Sequence, residues 1–348
     1  MAVAERAKPV QLGEELHYKS RSLFQDSMYR LFRNRAAIAA MVIIGGLVII
    51  ALTADLMVQW GWLDHYAHQH RGSSLAAPLS CAVDGDKDGD GVPDPIQFCF
   101  LFGTDRLGRD LLSRTIYGTR ISLLVGVVGS SVSLMIGIVY GVISGYYGGR
   151  VDNLMMRFVD FLYGIPTLPL IIIMQVYFRG VRERAGEIGG LGQTMVQIDQ
   201  AMGGLFFLFI ALGILSWIGM ARLARGQVLA YKQKEFVEAA RSIGARDGRI
   251  IFTHLLPNII GPLIVSEAMA IPGYIFTESF LSFLGLGVNP PTPSWGALIT
   301  DAINEGAIRF RTHLLLVPAF ALSLTTLAFN FLGDGLRDAL DPRLAGEK

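Results

Sequence analysis

ISLLVGVVGSSVSLMIGIVYGVISGYYGG, residues 121–149, runs without a charged side chain, and its reading decides the fold class. A helix needs roughly 20 apolar residues to cross the hydrocarbon core of a bilayer, and this run exceeds that. A spanning strand would alternate apolar and polar residues over about 10 positions, which this run does not. It therefore reads as a membrane helix, which satisfies every backbone N–H and C=O within itself. Gly129, Ser133, Gly137, Gly141, Gly145 and Gly149 fall along it at four-residue spacing. Lipid supplies no hydrophobic force between helices, so a small-residue stripe acts by letting backbones approach into dispersion contact. Helix packing within this chain and packing on a partner helix both fit it.

Outward from this run the pattern repeats. Ala36 to Ala54, Phe161 to Phe178, Ala201 to Ala221 and His313 to Gly333 are also uncharged. Asn258 to Leu284 makes a sixth candidate, interrupted by Glu267 and Glu278. With 348 residues, 52% of them hydrophobic and 17% charged, and a mean hydropathy of +0.45, the chain is too apolar for a soluble globular protein. The expectation is an all-α membrane protein with six transmembrane helices, so both termini share one side. Lys and Arg concentrate on that side, and the positive-inside rule places it in the cytoplasm. Arg106, Arg109, Arg114 and Arg120 fall on the outer side, against the majority.

The expected partition starts with a cytoplasmic tail at 1–35, a first transmembrane helix at 36–57, and an outer loop at 58–120 carrying an acidic insert at 81–99. A five-helix core follows at 121–334, with a cytoplasmic loop at 222–257 inside it, then a cytoplasmic tail at 335–348. The first span lacks a small-residue cleavage site and reads as a retained anchor. Before it, Phe24, Met28 and Leu31 recur at i, i+4 and i+7 among Arg21, Arg30, Arg33 and Arg35. That is the pattern of an amphipathic helix on anionic membrane lipid, or of a solvated basic tail. Pro166 and Pro169 each remove a backbone donor from the third span and predict a kink or a late helix start.

Glu267 and Glu278 are eleven residues apart, which returns a helix almost to the same azimuth. A carboxylate facing lipid at the helix centre costs about 2.5–3.5 kcal/mol on insertion scales, so both should face protein or a water-filled translocation path. For Glu278 the alternative is a hydrogen bond to a neighbouring helix near the outer end.

Between the runs Ala201 to Ala221 and Asn258 to Leu284 lies EFVEAARSIGARDGRIIFTHLLP, residues 235–257, in a loop rich in Arg and Lys. Glu235 to Ile243 holds good helix formers, Gly244 offers a left-handed terminus, and Asp247 can cap a second helix ending before Pro257. Ala239 and Ala240 present little bulk, and Glu238 offers a carboxylate to a basic partner. Gly103 to Asp110, GTDRLGRD, has the glycine spacing of a phosphate loop but carries Arg109 and Asp110 where Lys and Ser or Thr are required. No metalloprotease or nucleophile-elbow motif occurs. The chain thus shows no complete phosphate-loop motif of its own.

Glu238-Ala239-Ala240, Gly244 and Leu256-Pro257 resemble the EAA loop by which permease subunits of bacterial ABC importers engage their ATPases. An Ile stands in the generic pattern where His254 stands here. Gly103-Thr104-Asp105 with Gly108-Arg109-Asp110, Tyr146-Tyr147-Gly148-Gly149, Leu281 to Gly287, Pro290-Pro291 to Trp295-Gly296, Gly333 to Asp338 and Asp341-Pro342 are similar to the C-type permease of dipeptide and oligopeptide importers. The likeness covers roughly Tyr18 to Arg343 and leaves out about 72–98. It implies an inner-membrane permease working with a second permease, two ATP-binding subunits and an extracytoplasmic solute-binding protein, with ATP acting only through those partners and no nucleic acid. It also carries the coupling role to Glu238, Ala239, Ala240, Arg241, Gly244 and Ala245. A nickel or other small-solute permease of the same family, or an ion-coupled secondary carrier using Glu267 and Glu278, are the alternatives.

In the outer insert, Cys81 and Cys99 bracket Asp84, Asp86, Asp88, Asp90 and Asp94. In an oxidising exterior the two cysteines can pair, and closing a loop of this size contributes about 3 kcal/mol in the chain-entropy model. Two reduced thiols are the alternative. Asp86-x-Asp88-x-Asp90-Gly91 alternates oxygen ligands before a tight turn, as Ca²⁺ requires, while Gln97 replaces the bidentate Glu of an EF-hand. The run resembles the DxDxDGxxD calcium loops of extracellular repeat modules, against a merely solvated acidic loop. His65, His68 and His70 cluster nearby; on a helix His65 and His68 would share a face and His68 and His70 would not. A soft-metal site or a solvated juxtamembrane segment both fit them.

Overall fold

The computed structural model describes residues 23–70, 72–83, 97–184 and 189–340. Helix α1, Leu23–Leu31, leads into α2, Arg35–Gln59, whose first N–H groups are capped by the Asn34 side chain. Strands β1, Ser80–Val83, and β2, Gln97–Phe100, pair antiparallel with Cys81 opposite Cys99. The two cysteines form a disulfide. Then follow α3, Leu111–Tyr147, α4, Gly149–Tyr163, and α5, Thr167–Glu183. Next come α6, Leu191–Ala201, α7, Leu205–Tyr231, and α8, Glu235–Ser242. Helix α9, Asp247–Arg249, passes through a π-helical turn at Ile250–Leu255 into α10, Leu256–Phe283. Helices α11, Trp295–Asn304, α12, Ala307–Phe310, and α13, Thr312–Leu340, complete the described chain.

Among the described residues five helices are long and apolar enough to cross a membrane: α2, α3, α7, the continuous run Asp247–Phe283, and α13. The count rises to six if α4 and α5 form one broken span, bent by 77°. The all-α expectation holds for these spans, and the short β-ribbon adds an element it did not contain.

The helix bounds add detail to the expected partition. Helix α3 begins at Leu111, inside the stretch expected as outer loop at 58–120. Arg114 and Arg120 broke the apolar run, yet Arg114 Nη1 donates to Asp105 at 2.5 Å and Arg120 Nη2 to Asp55 at 3.0 Å. Arg109 also pairs with Asp105, so three of the four basic residues that oppose the charge rule are held in ion pairs. The third span breaks where Pro166 becomes the N-cap of α5. At the far end α13 extends past residue 334 to Leu340. In α1, Leu31 is buried with Ala37 and Ala339, and Met28 packs against them.

The small-residue stripe packs within the chain. A Cβ added at Gly137 would meet Met220 and Ala221, one at Gly141 the Ala221 carbonyl and Ala224, and one at Gly145 Val228 and Arg225. These contacts join α3 to α7 along their length. Gly129 lies against Tyr274 of α10, whereas Gly149 meets nothing and opens α4, so the stripe stops at Gly145. Nearer the start of α3, Trp295 is fully buried, donating through Nε1 to the Thr115 carbonyl at 3.2 Å.

Candidate functional site

The segment from Glu235 to Leu255 joins α7 to α10 at one end of the bundle. Val237 and Ala240, three residues apart, sit on one face of α8 and are buried with Val142, Tyr146, Val228, Ile250 and Leu255. Helix α8 ends in a Schellman motif: Gly244 N–H donates to Arg241 O at 2.9 Å and Ala245 N–H to Ala240 O at 3.0 Å. That geometry needs a left-handed residue, and Gly244 supplies φ +79°. Ala245 then packs against the same core as Ala240.

Tertiary bonds hold this segment to α3. Tyr146 Oη donates to Asp247 Oδ1 at 2.7 Å, and the Arg241 guanidinium lies 5.6 Å from the Tyr146 ring centroid. Asp247 therefore does not cap a second helix; Arg246 holds that position without a side-chain bond. The expected second helix ending before Pro257 is corrected as well. The chain continues through the π turn into α10, with Pro257 in the first turn of α10. A π turn takes its hydrogen bonds five residues back, which accommodates a proline that would clash inside an α-helix. Next to this segment Arg225 forms a bidentate pair with Asp152 at 2.5 and 2.6 Å, and Lys232 Nζ donates to the Gly145 carbonyl at 2.9 Å.

The resulting knob presents Glu235, Glu238, Ala239, Ser242 and Ile243 outward. Arg241 and Gly244 are also exposed, whereas Ala240 and Ala245 face the core and seat the helix. Ile243, which the motif left aside, is the most prominent apolar group here, 86% exposed. It stands at the C-cap of α8, three residues beyond buried Ala240, so helical periodicity alone did not signal its exposure.

Glu267 and Glu278 lie inside the helix bundle. Glu267 accepts from Ser133 of α3 and from Tyr274 at 3.4 Å. Glu278 is 0% exposed and accepts from Ser282 and Ser294, each at 2.7 Å. Ser294 is the N-cap of α11, so this carboxylate joins two elements. Towards the same end as α11, a polar cavity of ≈ 250 Å³ is lined by Gln175, Arg179, Arg182 and the turn from Gly285 to Pro290. Arg182 donates to Asn289 at 2.7 Å and pairs with Asp199 at 3.1 Å. Gly285 to Gly287 and Pro290 fall in stretches singled out in the sequence, whereas Gln175, Arg179, Arg182, Asn289 and Asp199 carried no sequence motif.

The ribbon end holds the remaining candidates. Asp84, Asp86, Asp88, Asp90 and Asp94 lie outside the described residues. His68 and His70 do come together, their ring centroids 4.6 Å apart, because the chain after α2 forms turns rather than a helix. His65 instead packs on Tyr66 and Tyr117. Below them Asp110 caps α3 by accepting from Ser113 N–H at 2.8 Å. Burial pushes the Asp110 carboxyl above the usual carboxylate range, and the Ser113 bonds only partly oppose this.

Residues 137–346 match the family described as binding-protein-dependent transport system inner membrane component, and residues 22–78 match the N-terminal TM domain of oligopeptide transport permease C. The chain is similar to the oligopeptide transport system permease protein OppC of Haemophilus influenzae, 40% identical over 330 residues covering 95% of this chain and 92% of that protein. It is 38% identical over 326 residues to the dipeptide transport system permease protein DppC of Bacillus subtilis, covering 93% and 87%. Among solved structures, inward-facing MetNI, a methionine ABC transporter, matches with a TM-score of 0.50 and 17% identity over 66% of this chain and 98% of that one.

Proposed function

Since the chain belongs to the binding-protein-dependent transport system inner membrane components and is a multi-pass protein of the inner membrane, we propose that it is the permease through which an ATP-driven importer moves dipeptides or oligopeptides. A second permease completes the path, two ATP-binding subunits hydrolyse ATP, and a solute-binding protein delivers substrate on the ribbon side. The α8 end then faces the cytoplasm. Relatives named as oligopeptide and dipeptide permeases, matched along nearly their whole length, support the substrate class.

The observation that carries the coupling role is the exposed face of α8, Glu235, Glu238, Ala239, Ser242 and Ile243, on a helix seated by Val237 and Ala240. A motion imposed on this face passes to α3 through Tyr146 and directly along the continuous Asp247–Phe283 helix to Glu267 and Glu278. In this reading those two carboxylates act behind the surface of the path, positioning α10 against α3 and α11. Co-purification of the ATP-binding subunits with Ile243→Glu and Glu238→Arg chains tests the assignment. Both side chains are exposed, so the permease itself should stay folded and the ATPases should be lost. Unchanged co-purification with unchanged uptake in both variants would sink it.

The acidic insert belongs to the same proposal. Asp84, Asp86, Asp88, Asp90 and Asp94 are read as oxygen ligands of a structural Ca²⁺ in the segment closed by Cys81 and Cys99. Calcium titration of the full chain should show saturable binding that is lost when Asp86 and Asp88 are both changed to Asn; a chain blind to calcium would remove the ion from the account.

A further inference from the structure

We propose that Asp64, His68 and His70 form a binding site for one divalent transition-metal ion of the Zn²⁺ class at the ribbon end of the molecule. Their ligand atoms all lie within 4.8 Å of one another. Asp64 Oδ2 is 2.8 Å from His68 Nδ1 and 2.7 Å from His70 Nε2. Around a tetrahedral ion with bonds of about 2.0–2.2 Å, neighbouring ligand atoms stand about 3.3 Å apart. Opening the hydrogen-bonded cluster to that spacing asks each group to move by less than about 1 Å.

The site is built before any ion arrives. Asp64 N–H donates to Ser113 Oγ at 3.0 Å, and Ser113 Oγ donates to the Asp110 carboxylate at 2.6 Å. Asp64 Oδ1 accepts from His65 N–H at 2.8 Å. His70 N–H donates to the Gly108 carbonyl at 3.1 Å, and the His70 ring stacks on Phe98 at 5.4 Å and meets Phe100 edge-on at 5.0 Å. His70 is only 3% exposed, whereas the His68 side chain is 39% exposed, so one side of the cluster opens to solvent. Two imidazoles and one carboxylate on a half-open face match a borderline divalent ion with a water in its remaining position. They do not match Ca²⁺, which takes six to eight oxygen ligands.

An ion here would fix the turn of chain between α2 and the ribbon. Asp64 follows the end of α2, and His70 lies against the aromatic residues of β2. The site is separate from the exposed face of α8, so its failure leaves the coupling proposal untouched.

The test uses the full chain, purified in detergent and stripped with a chelator. Zn²⁺ is titrated calorimetrically, Co²⁺ is followed through its visible d–d bands, and thermal unfolding is recorded with and without Zn²⁺. The wild-type chain should take up a single ion and gain in unfolding temperature. His68→Ala and Asp64→Asn should each weaken binding by at least about 100-fold and abolish the gain, while the ion-free variants unfold near the ion-free wild type. His68 is the part-exposed ligand, so its removal leaves the fold least disturbed. Absence of stoichiometric binding to the wild type overturns the proposal. So does binding that survives both substitutions, which would place the ion elsewhere, the acidic insert included.

Discussion

At the scale of single residues, the closest backbone approach between spans rests on the absence of side chains at Gly137, Gly141 and Gly145. Gly141→Val should separate α3 from α7 and cost about 1–3 kcal/mol, the usual penalty of overpacking. Gly219 of α7 meets nothing within 4 Å, so Gly219→Ala should instead stabilise the helix by about 0.5–1 kcal/mol. Thermal unfolding of the two variants in one detergent checks both signs. Glu278→Ala should cost about 1–3 kcal/mol because the buried hydroxyls of Ser282 and Ser294 lose their acceptor. Glu278→Gln keeps an acceptor oxygen and should recover most of that loss in the same measurement. Residue identity alone could say that Glu278 avoids lipid, but not that its partners would be two serines, one of them capping α11. Ser282 stands at i+4 on the same helix, but Ser294 belongs to the next element, and no spacing rule links it to Glu278.

At the scale of elements, legibility followed length and charge. Residues 36–54 and 121–149 were legible because an uncharged run longer than a bilayer crossing has few alternatives. The first ten residues of α3, Leu111–Arg120, were not, since Arg114 and Arg120 look like loop residues until Asp105 and Asp55 pair with them. The β-ribbon was not read because its strands are only four residues each, although the Cys81–Cys99 pair that joins them was among the expectations. In α8 the small-residue pair was legible as a unit, but its two halves differ: Ala239 faces out, and Ala240 is buried. This distinction is testable. Ala240→Trp should unseat α8 and make the segment open to limited proteolysis between Glu235 and Arg249. Ala239→Trp should leave the proteolytic pattern unchanged and block only the partner. Identical digestion of the two variants would remove the inward and outward assignment.

At the scale of the whole molecule, the two ends of the bundle are built differently. The ribbon end is closed by covalent and polar links, namely the Cys81–Cys99 disulfide, the Asp105 ion pairs and the Asp64 cluster. Replacing both cysteines by Ser should loosen the segment between them by about 3 kcal/mol in the chain-entropy model, while the spans persist. The opposite end carries a knob seated on α3, α7 and α10 by apolar contacts, with its outer face bare. That division fits a permease that meets its substrate-delivering partner on one side and its motor on the other. The most direct measurement is peptide uptake into proteoliposomes holding this chain with its second permease, both ATP-binding subunits and the binding protein, comparing wild type with Ala239→Trp. The account predicts uptake that requires ATP and is abolished in the variant, with the assembly's peptide binding on the outer side retained. Uptake by this chain alone without ATP, or uptake indifferent to Ala239→Trp, would contradict it.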